Sequence, residues 1–251
     1  MLPLAIQLYS LREEAEKDYA SVIRRVSQIG YIGVEPAGFP NITPEKAGSL
    51  YKEYNLKVPS AHMPLPLNEK KNEVLEAMEA IDCKRLVSGK GPDDFKTVDL
   101  VKKTCEIFNE VNSVCKDKGL KFGIHNHWWE FMKIDDTYVY ELMLKYLDPD
   151  IEFQLDTYWI KTAGVDPVKV IRQLAKRVNS LHIKDGPCVK NEPMTAIGKG
   201  KMNFPPIIKE AEKSAEWLIV EIDRCKTDMT EAVTQSFNFL VNKKLGYGKS
   251  K

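Results

Sequence analysis

Residues 152–184 read EFQLDTYWIKTAGVDPVKVIRQLAKRVNSLHIK, and this stretch decides the fold. It opens on a short apolar run, Glu152 to Asp156, and closes on another, Ser180 to Lys184. Between them Asp166-Pro167 marks a helix start. An aspartate oxygen caps the first free amides there, and the proline lacks only an N–H that would have no partner anyway. Val170, Ile171, Leu174, Ala175 and Val178 then share one face at the helical period. Strand, helix, strand in that order predicts two parallel neighbours joined by a crossover helix.

The same alternation runs outward to both ends of the chain. Strands are predicted at Leu4 to Tyr9, Ile32 to Glu35, Lys57 to Ala61, Arg85 to Ser88, Lys121 to His125, Glu152 to Asp156, Ser180 to Lys184 and Trp217 to Ile222. Helices are predicted at Arg12 to Ile29, from the Thr43-Pro44 cap, at Glu69 to Ile81, Asp93 to Lys118, Thr137 to Tyr146, Val168 to Val178, Phe204 to Ser214 and Thr230 to Lys244. Eight strand–helix units in 251 residues, with no Pro, Gly or Ser linker, predict an α/β fold. The expected architecture is a (β/α)8 TIM barrel forming a single domain over residues 1–251. The long irregular connection Gly186 to Asn203 is expected to lie over the barrel mouth.

Lys plus Arg total 37 against 36 Asp plus Glu, a formal charge of +1. That balance supplies no overall pull toward nucleic acid or an anionic membrane, so the expected partner is a small molecule. A homo-oligomer stays open. The five cysteines (Cys83, Cys105, Cys115, Cys188, Cys225) are scattered without a CxxC pair and read as free thiols. No apolar run or signal-like start is visible, so a cytoplasmic location is expected, or a secreted or periplasmic one if a leader has been removed.

In a parallel barrel, reactive side chains collect at the carboxyl ends of the strands. Strand two ends in Gly33-Val34-Glu35, strand three in Ser60-Ala61-His62, and strand five runs on through His125-Asn126-His127-Trp128-Trp129-Glu130. Strand six ends in Gln154-Leu155-Asp156, strand seven in Leu181-His182-Ile183-Lys184-Asp185, and strand eight in Val220-Glu221-Ile222-Asp223. Side chains two apart share a face, so His182 stands with Lys184 and Glu221 with Asp223. A buried charge must be paired, hydrated or bound to metal. Carboxylates mixed with imidazole suit one divalent ion such as Mn²⁺, Co²⁺, Zn²⁺ or Mg²⁺. Glu130, Asp156, His182 and Glu221 are the expected metal ligands. Each also has a purely structural reading: Asp156 as a helix N-cap, His182 as a hydrogen-bonded core histidine, Glu221 and Glu130 as surface residues. Recurrence at the ends of strands five to eight favours the metal.

The runs HNHWWEF (125–131), QLDTYW (154–159), LHIKD (181–185) and LIVEID (218–223), with IGKGKMNFPPI (197–207), resemble the xylose isomerase-like barrels. These include the sugar phosphate isomerases/epimerases, relatives of tagatose epimerase and inosose dehydratase. The resemblance covers essentially the whole chain in strand order. It implies one divalent ion between two glutamates, an aspartate and a histidine, which carries over to Asp156, His182 and Glu221. Such epimerases place the first metal glutamate at the end of strand five, where this chain has His125-Asn126-His127. Glu130 follows a few residues later, and His125 or His127 is the alternative ligand.

The resemblance further implies a metal-dependent carbohydrate isomerase or epimerase acting on a ketose or keto-sugar. The proton beside the carbonyl is lost through a metal-stabilised enediolate, with Glu130 and Glu221 as the catalytic proton carriers. His62, His125, His127, Lys184, Glu35 and Trp129 are the expected substrate contacts. The same site would serve a keto-sugar dehydratase or lyase, a keto-glycoside hydrolase, or a non-catalytic sugar-binding barrel. An abasic-site endonuclease is not expected, because those enzymes gather several metals with more histidines and present a basic groove. Gly198-Lys199-Gly200-Lys201 offers backbone amides to an anion but lacks the third glycine of a nucleotide fingerprint.

Overall fold

Strands β1 (Leu2–Gln7), β2 (Gly33–Glu35), β3 (Ala61–His62), β4 (Arg85–Ser88), β5 (Lys121–His125), β6 (Glu152–Asp156), β7 (Val178–Ile183) and β8 (Trp217–Val220) form the ring of the computed structural model, which describes residues 1–249. Neighbours pair in parallel from β3 through β8, and β1 pairs in parallel with both β8 and β2. Between β2 and β3 the ring closes through two parallel bridges, Gly33 to Lys57 and Ala37 to His62. A short strand, Gly246–Tyr247, adds to β1 at the other end of the ring.

Helices α1 (Arg12–Ile29), α2 (Pro44–Glu53), α3 (Lys70–Ala80), α4 (Val98–Asp117), α5 (Val139–Tyr146), α6 (Thr157–Thr162), α7 (Pro167–Leu174), α8 (Phe204–Ala211) and α9 (Met229–Asn242) link the strands. The expected caps form: Thr43 Oγ1 accepts from the Lys46 amide and Asp166 Oδ1 from the Val168 amide. The (β/α)8 TIM barrel is therefore the observed architecture. Among the described residues no helix is long and apolar enough to cross a membrane.

Differences from the expected elements have local causes. β1 stops at Gln7 because its side chain accepts from the Tyr9 amide and starts a 3-10 turn, Leu8–Leu11. The helix expected from Asp93 starts at Val98, since Thr97 Oγ1 accepts from the Leu100 amide. The helix expected from Thr137 starts at Val139, because Lys133–Ile134 and Thr137–Tyr138 pair as a hairpin turning through Asp135 and Asp136 at positive φ. α6 is absent from the expected helices and was foreshadowed only by the reading of Asp156 as an N-cap.

The register carries the chemistry. Gln154 pairs with His125, and Asp156 pairs with His182 on the next strand. Glu221 lies one residue past β8, its amide donating to the Ile183 carbonyl. At the opposite end of the barrel, Arg85 bonds Glu152 at 2.6 Å, the Pro59 carbonyl and Glu216, so the floor is an ion-paired plug away from the mouth.

Candidate metal centre

His125, Asp156, His182 and Glu221 each offer a ligand atom within 4.8 Å of the others, and all four are buried. Three are the expected ligands from strands six to eight. The fourth corner is His125, one of the two alternatives weighed for strand five.

Both imidazoles are aimed by the nitrogen that faces away from the group. His182 Nε2 donates to Glu35 Oε1 at 2.8 Å, which leaves Nδ1 toward Glu221 Oε2 at 2.7 Å. Gln154 Nε2 donates to Glu35 Oε2, so its carbonyl oxygen faces His125 and accepts from Nδ1–H at 3.0 Å. His125 Nε2 is thereby turned toward Asp156 Oδ2, 4.0 Å away. A carboxylate or carbonyl behind each ligand histidine is the usual outer layer of a metal site. Glu35 anchors it, accepting from Gln7, Ser60, Gln154 and His182 with no exposure to solvent.

Asp156 joins its two readings. Oδ1 caps α6, accepting from the Trp159 amide at 2.9 Å, while Oδ2 points into the group. Lys184 Nζ lies 3.0 Å from Oδ2 but out of hydrogen-bonding alignment, and this buried oxygen has no hydrogen-bond partner. The Lys184 ammonium offsets its charge, but no N–H is aligned on its lone pairs, and a buried acceptor without a hydrogen bond costs ~1 to 3 kcal/mol. The donor set and the orphaned oxygen both fit a divalent ion.

Electrostatics follow from burial and neighbours. Burial lifts the Asp156 carboxyl to about 6, although Lys184 opposes this. Burial disfavours the His182 cation, yet the flanking Glu35 and Glu221 raise it to about 10. Burial also works against ionised Glu221 and Glu35, but Lys184 and His182 hold Glu221 well below the ordinary range. His182, Ser60 and His62 do the same, less strongly, for Glu35. Burial and the other imidazoles keep His125 neutral. Lys184 stays protonated against burial because Asp156, Glu221 and Asp223 surround it, at 3.0, 2.8 and 2.7 Å.

Glu130 stands apart from this group. It belongs to a 3-10 turn, Trp129–Phe131, which curls back after the strand so that its Oε2 accepts from the His127 amide at 2.8 Å. Its carboxyl is buried, Oε1 has no partner, and burial pushes it up to about 8. A cavity of about 910 Å³ lies above the group, bounded by His62, His125, His127, Trp129, Lys184 and Glu221 among others. Glu130 and Glu35 do not line it. Glu35, expected to touch substrate, instead sits behind His182. His127 stacks on Trp129 at 4.1 Å, and burial lowers its imidazole to about 3.

The loop 186–203 reaches the cavity through Asn191, Glu192 and Met194. Its glycines hold an anion, but that anion is the chain's own Asp185. Gly198, Gly200, Gly186 and Met202 amides all donate to its carboxylate. Gln7, Ser60 and Gln154 were missed by reading the sequence. Gln154 was within reach, because it stands two residues before Asp156 on the same face.

Residues 23–243 match the family model described as the xylose isomerase-like TIM barrel. A sugar phosphate isomerase/epimerase from Parabacteroides distasonis is 26% identical, superposes with a TM-score of 0.81, and is matched over 98% of this chain and 96% of its own. A protein called IOLI, solved with a bound zinc atom, shares the fold at 13% identity and a TM-score of 0.75, over 96% of this chain and 97% of its own. An inosose dehydratase of Clostridium tetani is 27% identical over 135 residues, 46% of this chain; the match spans 45% of that relative.

Proposed function

The chain belongs to the xylose isomerase-like TIM barrel family, and from that premise we propose that it is a divalent-metal-dependent carbohydrate isomerase or epimerase. The proposed ligands are His125, Asp156, His182 and Glu221. The observation that carries the reading is the set of four mutually close donors at the base of the 910 Å³ cavity, where Asp156 Oδ2 meets the Lys184 ammonium but has no hydrogen bond of its own. A divalent ion bound there supplies a positive charge that lowers the cost of negative charge developing on a substrate oxygen.

The chain's own groups divide the remaining work. Glu221 stays ionised beside His182 and Lys184 and borders the cavity, so it can take the proton from the carbon next to the carbonyl. The Lys184 ammonium also faces the cavity and donates to the oxygen where charge develops. Glu35 accepts from His182 Nε2 and fixes the orientation of that ring, and Gln154 fixes the tautomer of the neutral His125. Glu130, read from sequence as the second proton carrier, has its carboxyl beneath His127. In this proposal the opposite wall is served by His62, which borders the cavity three strands from β8. His127 and Trp129 frame the sugar.

The test is solvent deuterium uptake into a panel of ketoses and keto-sugars. Exchange at the carbon beside the carbonyl, abolished by a chelator and lost in Glu221→Gln, is the expected result. Normal exchange in Glu221→Gln overturns the assignment. Elimination of water at the same site is the second reading, favoured by the inosose dehydratase match, and mass analysis of the product separates the two.

A further inference from the structure

Two arginines remain outside the chemistry described above. Arg12 and Arg224 both border the 910 Å³ cavity, and both also border a neighbouring cleft of about 350 Å³. Both follow neighbouring strands, β1 and β8, and both border the same two hollows. Among the described residues neither forms an ion pair with a carboxylate, whereas Lys184 in the same cavity has three acidic neighbours. The 350 Å³ cleft also carries Glu13, Glu14 and Asp228, of which Glu14 pairs with Arg25 and Asp228 caps α9, whereas on the side of the 910 Å³ cavity the acid without an ion pair among the described residues is Glu192.

Arg12 is held ready. Its guanidinium lies 4.1 Å from the Tyr9 ring centre, and its NH1 donates to the Tyr9 carbonyl at 2.8 Å. The remaining N–H groups are free for a ligand. Its position is also tied to the metal group: the Tyr9 amide donates to Gln7 Oε1, Gln7 Nε2 donates to Glu35, and Glu35 accepts from His182. A cation and a candidate metal ligand thus share one hydrogen-bonded frame. The cavity volume is near the upper end of the ~300 to 1,000 Å³ common for small-molecule sites, leaving room beyond a single sugar ring.

We infer that Arg12 and Arg224 form an anion-binding subsite that selects a sugar carrying a carboxylate or phosphate away from the reacting carbon. This deepens the proposed function and rests on it for the sugar, but not for the anion. Guanidinium groups suit both oxyanions, since their planar forks match paired oxygens.

The test is calorimetric titration of the full-length chain with inorganic phosphate and, separately, with gluconate. Ionic strength is held constant, and the protein is used as purified and after dialysis against a chelator. Dialysis removes any anion binding due to metal, and no turnover is needed, so failure of the sugar chemistry leaves this measurement intact. Saturable binding that weakens about tenfold or more in both Arg12→Gln and Arg224→Gln is expected. Tighter phosphate binding indicates a phosphorylated sugar, and tighter gluconate binding a sugar acid. Arg12→Lys, which keeps the charge but not the fork, should fall between wild type and Arg12→Gln. Absence of saturable binding to either anion, or loss in only one of the two glutamine variants, overturns the paired subsite. Arg224 is exposed, so its substitution leaves the core untouched.

Discussion

Replacing Glu130 by Gln should change how stability depends on pH, and the size of the effect follows from where the carboxyl lies. It is buried, with Oε1 unpartnered, and its pKa rises from 4.5 to about 8, chiefly through burial. The folded chain keeps this proton where the unfolded chain has lost it. The stabilisation is complete below pH 4.5 and is lost as pH rises toward 8. At about 1.4 kcal/mol per pH unit, the loss is roughly 4 to 5 kcal/mol. A glutamine copies the neutral acid in shape and does not titrate. Wild type and Glu130→Gln should therefore melt alike near pH 4.5, and the variant should melt about 10 °C higher near pH 8.5. The assay is calorimetry on chelator-dialysed protein across that range. Taking the difference between the two proteins cancels the titration of His182, Asp156 and the other groups they share. A difference that stays constant with pH would refute the account of Glu130 as a buried neutral acid.

Two further outcomes follow from the outer layer of the site. Glu35→Gln removes a carboxylate that accepts from four side chains and orients His182. Metal affinity should fall about 10- to 100-fold, read by competition with a chelating dye. Asp185→Asn removes the charge gathered by the amides of Gly186, Gly198, Gly200 and Met202. Hydrogen exchange at Gly198 and Gly200 should quicken by about tenfold or more, while the β-strand amides keep their protection.

The barrel was legible because a strand–helix alternation needs only local periodicity, and the caps at Thr43 and Asp166 mark the helix starts directly. Arg85–Ser88, Lys121–His125 and Glu152–Asp156 fall where the apolar runs end. Asp156, His182 and Glu221 were legible for the same reason, since position at a strand end fixes which way a side chain points. Glu130 was harder to place, because four residues separate it from the end of β5 and the direction of the intervening turn depends on what its carboxyl bonds. The roles of Glu35 and Gln154 depend on contacts 119 and 29 residues distant in the chain. The GKGK run looked like a cradle for an external anion. Only the fold reveals that Asp185, 13 residues earlier, already fills it.

The most direct test is an anomalous-difference map from crystals grown with Mn²⁺ or Zn²⁺. The account requires a single peak touched by His125, Asp156, His182 and Glu221, with Glu35 and Gln154 still bonded behind the two histidines. A peak held by Glu130 in place of His125, or no peak between these strands at saturating metal, would contradict it.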